Sequence, residues 1–141
     1  MLQYGMRSFV FALLLALAWP ASAQTWLHVY GRSWHDGSGY REANGGIGIE
    51  QQFAPRWTWA VGAFQNSIDR RSVAGMAKYQ WYQSPLVAVN LQLGGVTGYR
   101  RYAVAPVILP EACVGWLCAM FVPKIGDETT AAAAVYLRIP L

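Results

Sequence analysis

Charged and redox-active side chains are scarce in this chain of 141 residues. Only 13% of the residues are charged, and the chain contains two cysteines and two histidines. A structural zinc site normally takes four ligands, which two cysteines and two distant histidines do not readily supply. We therefore predict neither a bound metal nor a cofactor.

Long apolar runs are also missing, apart from one close to the N-terminus. Residues 9–19 are all apolar, they follow Arg7, and they precede the small residues Ala21, Ser22 and Ala23. This pattern is typical of a cleaved secretory signal peptide, and the run is too short for the roughly 20 residues of a membrane-spanning helix. We predict a signal peptide over residues 1–23 and a single domain over residues 24–141.

The excess of basic residues is small. Removing the signal peptide takes away one of the 11 basic residues and none of the 7 acidic ones, so the net charge falls from +4 to +3. A nucleic-acid-binding domain normally shows a concentrated basic surface. We therefore predict no nucleic-acid partner.

Polar and apolar side chains alternate along most of the remaining chain. In the first such run Trp26, His28 and Tyr30 share one parity and Leu27 and Val29 share the other, as in a β-strand with one polar and one apolar face. Glycine, proline or a charged residue interrupts all the apolar runs that follow residues 9–19, so none of them can form a spanning helix. The structure that would satisfy this backbone in lipid is therefore a closed barrel. The sequence predicts an all-β fold, an eight-stranded antiparallel transmembrane β-barrel. Its predicted strands cover residues 25–35, 44–54, 56–66, 72–83, 86–98, 103–112, 116–123 and 131–140.

The predicted connections alternate between short and long. Those at residues 54–55, 84–85 and 114–115 are very short, whereas those at 36–43, 67–71, 99–102 and 124–130 are longer and polar. Bacterial outer-membrane barrels have short periplasmic turns and longer external loops. We therefore predict a location in the outer membrane of a Gram-negative bacterium, with both termini on the periplasmic side.

The same parity predicts which side chains face the lumen. Charged groups are costly in lipid, so they should point inward together with the polar residues of the same parity. The predicted inward set is Arg32, Glu50, Lys78, Arg138, His28, Tyr30, Asn44, Gln52, Thr58, Asn66, Gln80, Asn90 and Gln92. The predicted outward set is Leu27, Val29, Ile47, Ile49, Val61, Val73, Val87, Val89, Leu91, Leu93, Val135, Leu137 and Ile139.

Cys113 and Cys118 flank a short turn. If Gly115 and Trp116 form the tip of a two-residue hairpin, the two cysteines lie opposite each other, and an oxidising compartment would permit a disulfide. The sequence leaves open whether they are bridged.

Four residues could carry Ser/His chemistry. Ser67 offers a hydroxyl nucleophile, His28 or His35 a base, and Asn66 a group that orients the base. The alternative is that Asn66 and Ser67 end a strand and begin a turn, a role for which both residue types are well suited. His28 would then be a lumen histidine that bonds only to its neighbours.

Several segments resemble the outer-membrane lipid A palmitoyltransferase family. The resemblance rests on residues 63–67 (AFQNS), 73–75 (VAG), 95–97 (GVT), 106–110 (PVILP) and 121–123 (FVP), with the glycine-rich residues 44–48 (NGGIG). It implies an eight-stranded barrel with an apolar upper lumen that moves a palmitoyl chain from a phospholipid to lipid A.

Carried onto this chain, the resemblance makes His28 the essential histidine and Ser67 the essential serine. Asn66 stands where the family has Asp, and a neutral amide cannot stabilise an imidazolium as a carboxylate does. His35 is the rival base, because it should lie at the same height as Ser67. The implied partners are membrane phospholipid and lipid A, and we expect a monomer.

Two arginine pairs fall in the predicted external loops. Arg70, Arg71, Arg100 and Arg101 could bind the phosphates of lipid A, or they could be ordinary solvated loop charges. Two further functions stay open beside acyl transfer. One is a non-enzymatic structural barrel with a packed lumen, and the other is a barrel that binds a lipid without chemistry.

Overall fold

The computed structural model describes residues 23–141, which form eight antiparallel strands in a closed barrel. The predicted signal peptide lies outside the described residues, except for Ala23. The strands are β1 (Thr25–His35), β2 (Ala43–Ala54), β3 (Trp57–Gln65), β4 (Arg71–Gln83), β5 (Val87–Val96), β6 (Ala105–Val114), β7 (Leu117–Val122) and β8 (Ala132–Pro140). Each strand pairs with its neighbours in chain order, and β8 pairs with β1. The predicted eight-stranded antiparallel barrel is confirmed. No segment of residues 23–141 forms a helix that is long and apolar enough to cross a membrane.

The two ends of the barrel differ in their connections. Turns of two or three residues join β2 to β3, β4 to β5 and β6 to β7, and we call this the short-turn end. The opposite end carries the four longer connections, and we call it the long-loop end. The alternation of short and long connections therefore agrees with the prediction.

Side chains alternate between the lumen and the outer wall. On β6 the burial pattern switches at every residue from Ala105 to Val114. Apolar side chains that the parity predicts to be outward are exposed on the outer wall, among them Ile47, Val73 and Leu93. The core of this fold lies in the lumen.

One predicted inward residue, Arg32, points outward. A register shift between Tyr30 and Arg32 interrupts the pairing of β1 with both of its neighbours. Such a bulge reverses the parity of the residues that follow it. Ser33 is consequently buried, and the side chain of Arg32 is 60% exposed and bonded to Glu42.

The wall is incomplete between β6 and β7. Their pairing consists of four residue pairs and stops at Glu111 and Met120, whereas β6 continues to pair with β5 as far as Ala105. Pro106 and Pro110 lie in this unpaired stretch of β6, and proline has no N–H to donate to a neighbouring strand. The long-loop half of this seam therefore lacks a β ladder.

A disulfide joins the two strands where they do pair. Cys113 and Cys118 are direct partners in the ladder, and Gly115 and Trp116 form the turn between them. Gly115 adopts a φ of 58°, which glycine tolerates at little cost. The question that the sequence left open is thus decided in favour of a bridge.

Candidate functional site

A layer of buried charge divides the lumen at mid-height. Glu50 lies at its centre, 2.9 Å from Lys78 Nζ and 2.8 Å from Arg138 Nη2, and it also accepts a hydrogen bond from Thr58. Lys78 reaches a second carboxylate, Glu111, at 2.8 Å. The layer therefore pairs two carboxylates with two cations, which is the arrangement that makes burial of charge tolerable.

Sequence reasoning missed two members of this layer. Glu111 accepts hydrogen bonds from Asn90, Gln92 and Tyr136, and the Tyr136 hydroxyl is 2.5 Å from its Oε2 atom. A single carboxylate in the otherwise apolar strand β6 was the available signal, because its parity matches that of the inward residues around it.

An apolar cavity of about 110 Å³ occupies the half of the lumen towards the long-loop end. Small and flexible side chains line it, including Ala60, Ala74, Met76 and Val96. Ile125, from the loop between β7 and β8, and Tyr99, from the loop between β5 and β6, are buried at its upper part. This half of the barrel is therefore a hydrophobic recess and not a solid core.

A second, polar cavity of about 180 Å³ lies on the other side of the charge layer. Its lining includes Gln52, Arg56, Gln80 and Arg138, and none of its lining residues also lines the apolar cavity. The lumen consequently has two separate compartments of opposite polarity.

His28 belongs to the charge layer. Its Nε2 atom lies 2.7 Å from Glu50 Oε2, and its Nδ1 atom lies 3.5 Å from the Tyr30 hydroxyl. Histidine and carboxylate are thus coupled at the floor of the apolar cavity. No hydrogen bond among the described residues joins His28 to Ser67.

Asn66 uses its amide to shape the loop between β3 and β4. Its oxygen accepts hydrogen bonds from the backbone N–H groups of Ile68 and Arg70, and its nitrogen donates to Ser72 and to the Gly98 carbonyl. The side chain is 1% exposed. These contacts match the turn-forming alternative for Asn66, and none of them reaches a histidine.

Ser67 lines the apolar cavity close to the long-loop end. Its side chain is hydrogen-bonded to Tyr99. Burial raises the pKa of Tyr99, the hydrogen bond with Ser67 opposes that rise, and the carboxylate of Glu128 adds to it. The Ser67 hydroxyl therefore has a phenol and not an imidazole as its described partner.

His35 lies at the long-loop end and lines the same cavity as Ser67. Its ring stacks on Tyr40 with the centroids 4.7 Å apart, and the next residue, Arg41, donates its backbone N–H to the Ser67 carbonyl. The Nδ1 atom of His35 is buried and has no hydrogen-bond partner among residues 23–141. Of the two histidines, His35 is the one with a ring nitrogen that no described group of the protein uses.

The four arginines predicted at the rim are all exposed. Arg101 pairs with Asp127 at 2.8 Å, whereas the guanidinium groups of Arg70, Arg71 and Arg100 make no ion pair with any described residue. Arg71, the first residue of β4, lies beside the loop that carries Arg100, since the Arg71 carbonyl oxygen closely approaches Gly98. Three unpaired positive groups therefore remain at this end.

Within residues 23–141, the possible metal-binding group is Glu111 with Cys113 and Cys118. Both sulfur atoms are committed to the disulfide, so that group offers carboxylate oxygen alone. In comparisons with known proteins, the sequence matches no family model and no curated protein.

Proposed function

We propose that this protein is an outer-membrane barrel whose lumen binds the acyl chain of a membrane lipid. The observation that carries the proposal is the apolar cavity at the long-loop end, which is floored by the charge layer. Ligand sites in small barrels are typically apolar recesses with a few convergent polar groups. A purely structural barrel would have no use for this recess and would gain stability by filling it.

The outer surface supports placement in a membrane. Large apolar side chains on the wall are widely exposed, with Ile47 at 65% and Ile108 at 57%, and contiguous apolar surface of this kind favours lipid over water. Trp81, Tyr82 and Trp116 are exposed around the short-turn end, as aromatic residues are at a membrane interface. The apolar run over residues 9–19 adds the export signal that this location requires.

The incomplete seam supports entry from the side. Between Pro106 and Pro110, β6 has no β7 partner, and this stretch borders the apolar cavity through Val107 and Leu109. An acyl chain that moves from the bilayer into the lumen could pass here without breaking backbone hydrogen bonds. Unpaired backbone groups are costly in lipid, so a ladder gap there suggests a use.

The size of the cavity indicates a short or thin occupant. About 110 Å³ is less than the 150 Å³ or so of an engineered cavity that accepts benzene. A long chain would need Met76 and Met120 to change rotamer, and the flexible thioether side chain makes such adjustment inexpensive. We therefore expect a ten-carbon chain to need less rearrangement of these side chains than palmitoyl.

A matched pair of alanines on β3 tests the binding proposal. Ala60 is 4% exposed and faces the cavity, whereas Ala63 is exposed on the outer wall of the same strand. In the barrel reconstituted with deuterated lipid, 1-decanol carrying a ¹³C-methyl group should show nuclear Overhauser contacts with the buried Met76 methyl group. Ala60→Leu should abolish these contacts and Ala63→Leu should retain them. Equal contacts in both variants would contradict binding in the lumen.

Acyl transfer to lipid A is the second candidate function. The observation that favours it is the presence of Ser67 and the unpaired Nδ1 atom of His35 at one cavity. In this mechanism His35 takes the Ser67 proton, Ser67 attacks the ester carbonyl of a phospholipid, and His35 returns the proton to the departing lysophospholipid. His35 then takes the proton of a lipid A hydroxyl, which attacks the acyl-enzyme, and the released Ser67 oxygen regains the proton. Ser67 must first exchange its bond with Tyr99 for one with His35. Arg70, Arg71 and Arg100 would bind the lipid A phosphates.

Mass spectrometry of lipid A from cells with and without the protein tests the transfer. An added acyl chain that depends on the protein and disappears in Ser67→Ala would support it. His35→Ala and His28→Ala then separate the two candidate bases, and we expect the larger loss in His35→Ala. Lipid A of unchanged mass in cells that contain the folded protein would contradict acyl transfer. Lipid binding without a reaction would then be the remaining function.

A further inference from the structure

Two buried polar atoms at the long-loop end lack hydrogen-bond partners. Among residues 23–141, three buried side-chain nitrogen or oxygen atoms have no partner, namely His35 Nδ1, Thr130 Oγ1 and Gln51 Oε1. A buried polar atom without a partner costs about 1–3 kcal/mol, so native proteins rarely keep one without a reason. His35 and Thr130 belong to neighbouring parts of the fold.

The pairing of β1 with β8 brings these two residues to the same corner. His35 is the register partner of Ala132, and the next residue, Asp36, donates its N–H to the Ala131 carbonyl at 3.0 Å. Continued by one residue, this pairing sets Thr130 opposite Gly37. A Cβ atom built on Gly37 would lie 3.7 Å from Thr130 Oγ1 and 3.6 Å from the Tyr40 ring. Thr130 and Tyr40 therefore border the space beside Gly37, and the Tyr40 ring in turn stacks on His35.

The apolar cavity reaches this corner of the fold, because His35 and its register partner Ala132 both line it. A neutral imidazole nitrogen and a hydroxyl can each donate or accept a hydrogen bond, depending on tautomer and rotamer. Together they match an oxygen atom that needs two partners. The rest of the cavity has an apolar lining suited to a hydrocarbon chain.

We propose that His35 and Thr130 form a polar subsite that binds the hydroxyl oxygen at the head of an amphiphile whose chain occupies the apolar cavity. The inference rests on the proposed binding of an acyl chain and adds the chemistry of the ligand's polar end. It makes the preferred ligand an alcohol-headed amphiphile and not a plain hydrocarbon. The hydroxyl would donate to one of the two protein atoms and accept from the other.

Competition between two ligands of equal chain length tests the subsite. Unlabelled decane and 1-decanol are each added to the reconstituted barrel until they displace ¹³C-methyl 1-decanol, and each amount is expressed as its mole fraction in the lipid. We expect 1-decanol to compete about tenfold better than decane, since satisfying two buried groups should be worth at least one power of ten in affinity.

Substitutions at Thr130 identify the partner atom. Thr130→Val keeps the shape of the side chain and removes the hydroxyl, so the preference for 1-decanol should fall several-fold while competition by decane stays the same. Thr130→Ser restores the hydroxyl and should restore the preference. Thr25→Val, at the short-turn end, is the control for a threonine-to-valine change and should leave the preference unchanged.

The possible failures are distinguishable. Equal competition by the two ligands in the unsubstituted protein would overturn the subsite and leave acyl-chain binding intact, with water as the partner of both polar atoms. A preference that Thr130→Val does not reduce would also overturn it. Failure of both ligands to compete, with no contact between labelled decanol and Met76, would overturn the subsite and the proposed function together.

Discussion

At the scale of single residues, Lys78 holds the charge layer together. Its ammonium group lies between Glu50 and Glu111, and its side chain is 2% exposed. Lys78→Met would leave Glu50 with Arg138 as its remaining cationic partner and Glu111 with none among the described residues. We expect the free energy of unfolding to fall by about 3–5 kcal/mol, measured by denaturant titration of the refolded barrel.

Arg32→Met is the matched control for this prediction. Arg32 also pairs with a glutamate at 2.8 Å, but that pair lies on the exposed outer face. Such pairs contribute less than about 1 kcal/mol, so this variant should unfold close to the unsubstituted protein. A similar loss in both variants would mean that burial does not determine the strength of these pairs.

The same residues show what sequence reasoning could resolve. Parity correctly placed Glu50, Lys78 and Arg138 in the lumen, because their strands run without interruption through those positions. It failed at Arg32, because a bulge reverses the parity and the sequence offers little warning of it beyond Gly31. The contacts of Asn66 were equally out of reach, since Ser72 and Gly98 approach it only through the folding of two loops.

At the scale of elements, the seam between β6 and β7 is the weakest join in the wall. Four ladder pairs and one disulfide hold it, whereas β5 and β6 share ten pairs. Replacing both Cys113 and Cys118 by Ala should lower the free energy of unfolding by about 2 kcal/mol, the value expected for a loop of this size. Denaturant titration with and without a thiol reductant measures the effect.

The reductant supplies its own control. It should destabilise the unsubstituted barrel by a similar amount and leave the double-alanine variant unchanged. Destabilisation of the double variant by the reductant would show that the effect does not come from this bridge.

Strands and their order were the part of the fold most accessible from sequence. All eight predicted strands end within two residues of those observed, because period-two alternation and proline or glycine turns are local signals. Predicting the disulfide required more than these local signals, since the bridge depends on which two residues form the turn. The sequence analysis did not predict that the pairing of β6 with β7 stops at Glu111, although Pro106 and Pro110 are the physical reason for it.

At the scale of the whole molecule, we expect the charge layer to close the barrel to ions. It separates an apolar compartment from a polar one, and none of residues 23–141 lines both. In a planar bilayer the protein should therefore give no steady current steps. The double variant Lys78→Ala, Glu111→Ala removes one charge of each sign and should conduct, because it opens the layer without leaving a net buried charge. Stable conductance by the unsubstituted protein would contradict a closed lumen.

The family resemblance implied an apolar upper lumen, but it could not tell a recess from solid packing. That distinction depends on fractions of a side-chain volume summed over eight staggered strands. It also depends on Tyr99 and Ile125, which come from loops whose conformation has no period.

Because the charge layer closes one side of the apolar cavity, a ligand can enter or leave only through the half of the lumen towards the long-loop end. A ligand in the apolar cavity must leave before a second one can bind. Neither of them can cross the charge layer to the polar cavity. In the proposed membrane setting, a lipid that is exchanged through this cavity must accordingly enter and leave on the same side of the bilayer.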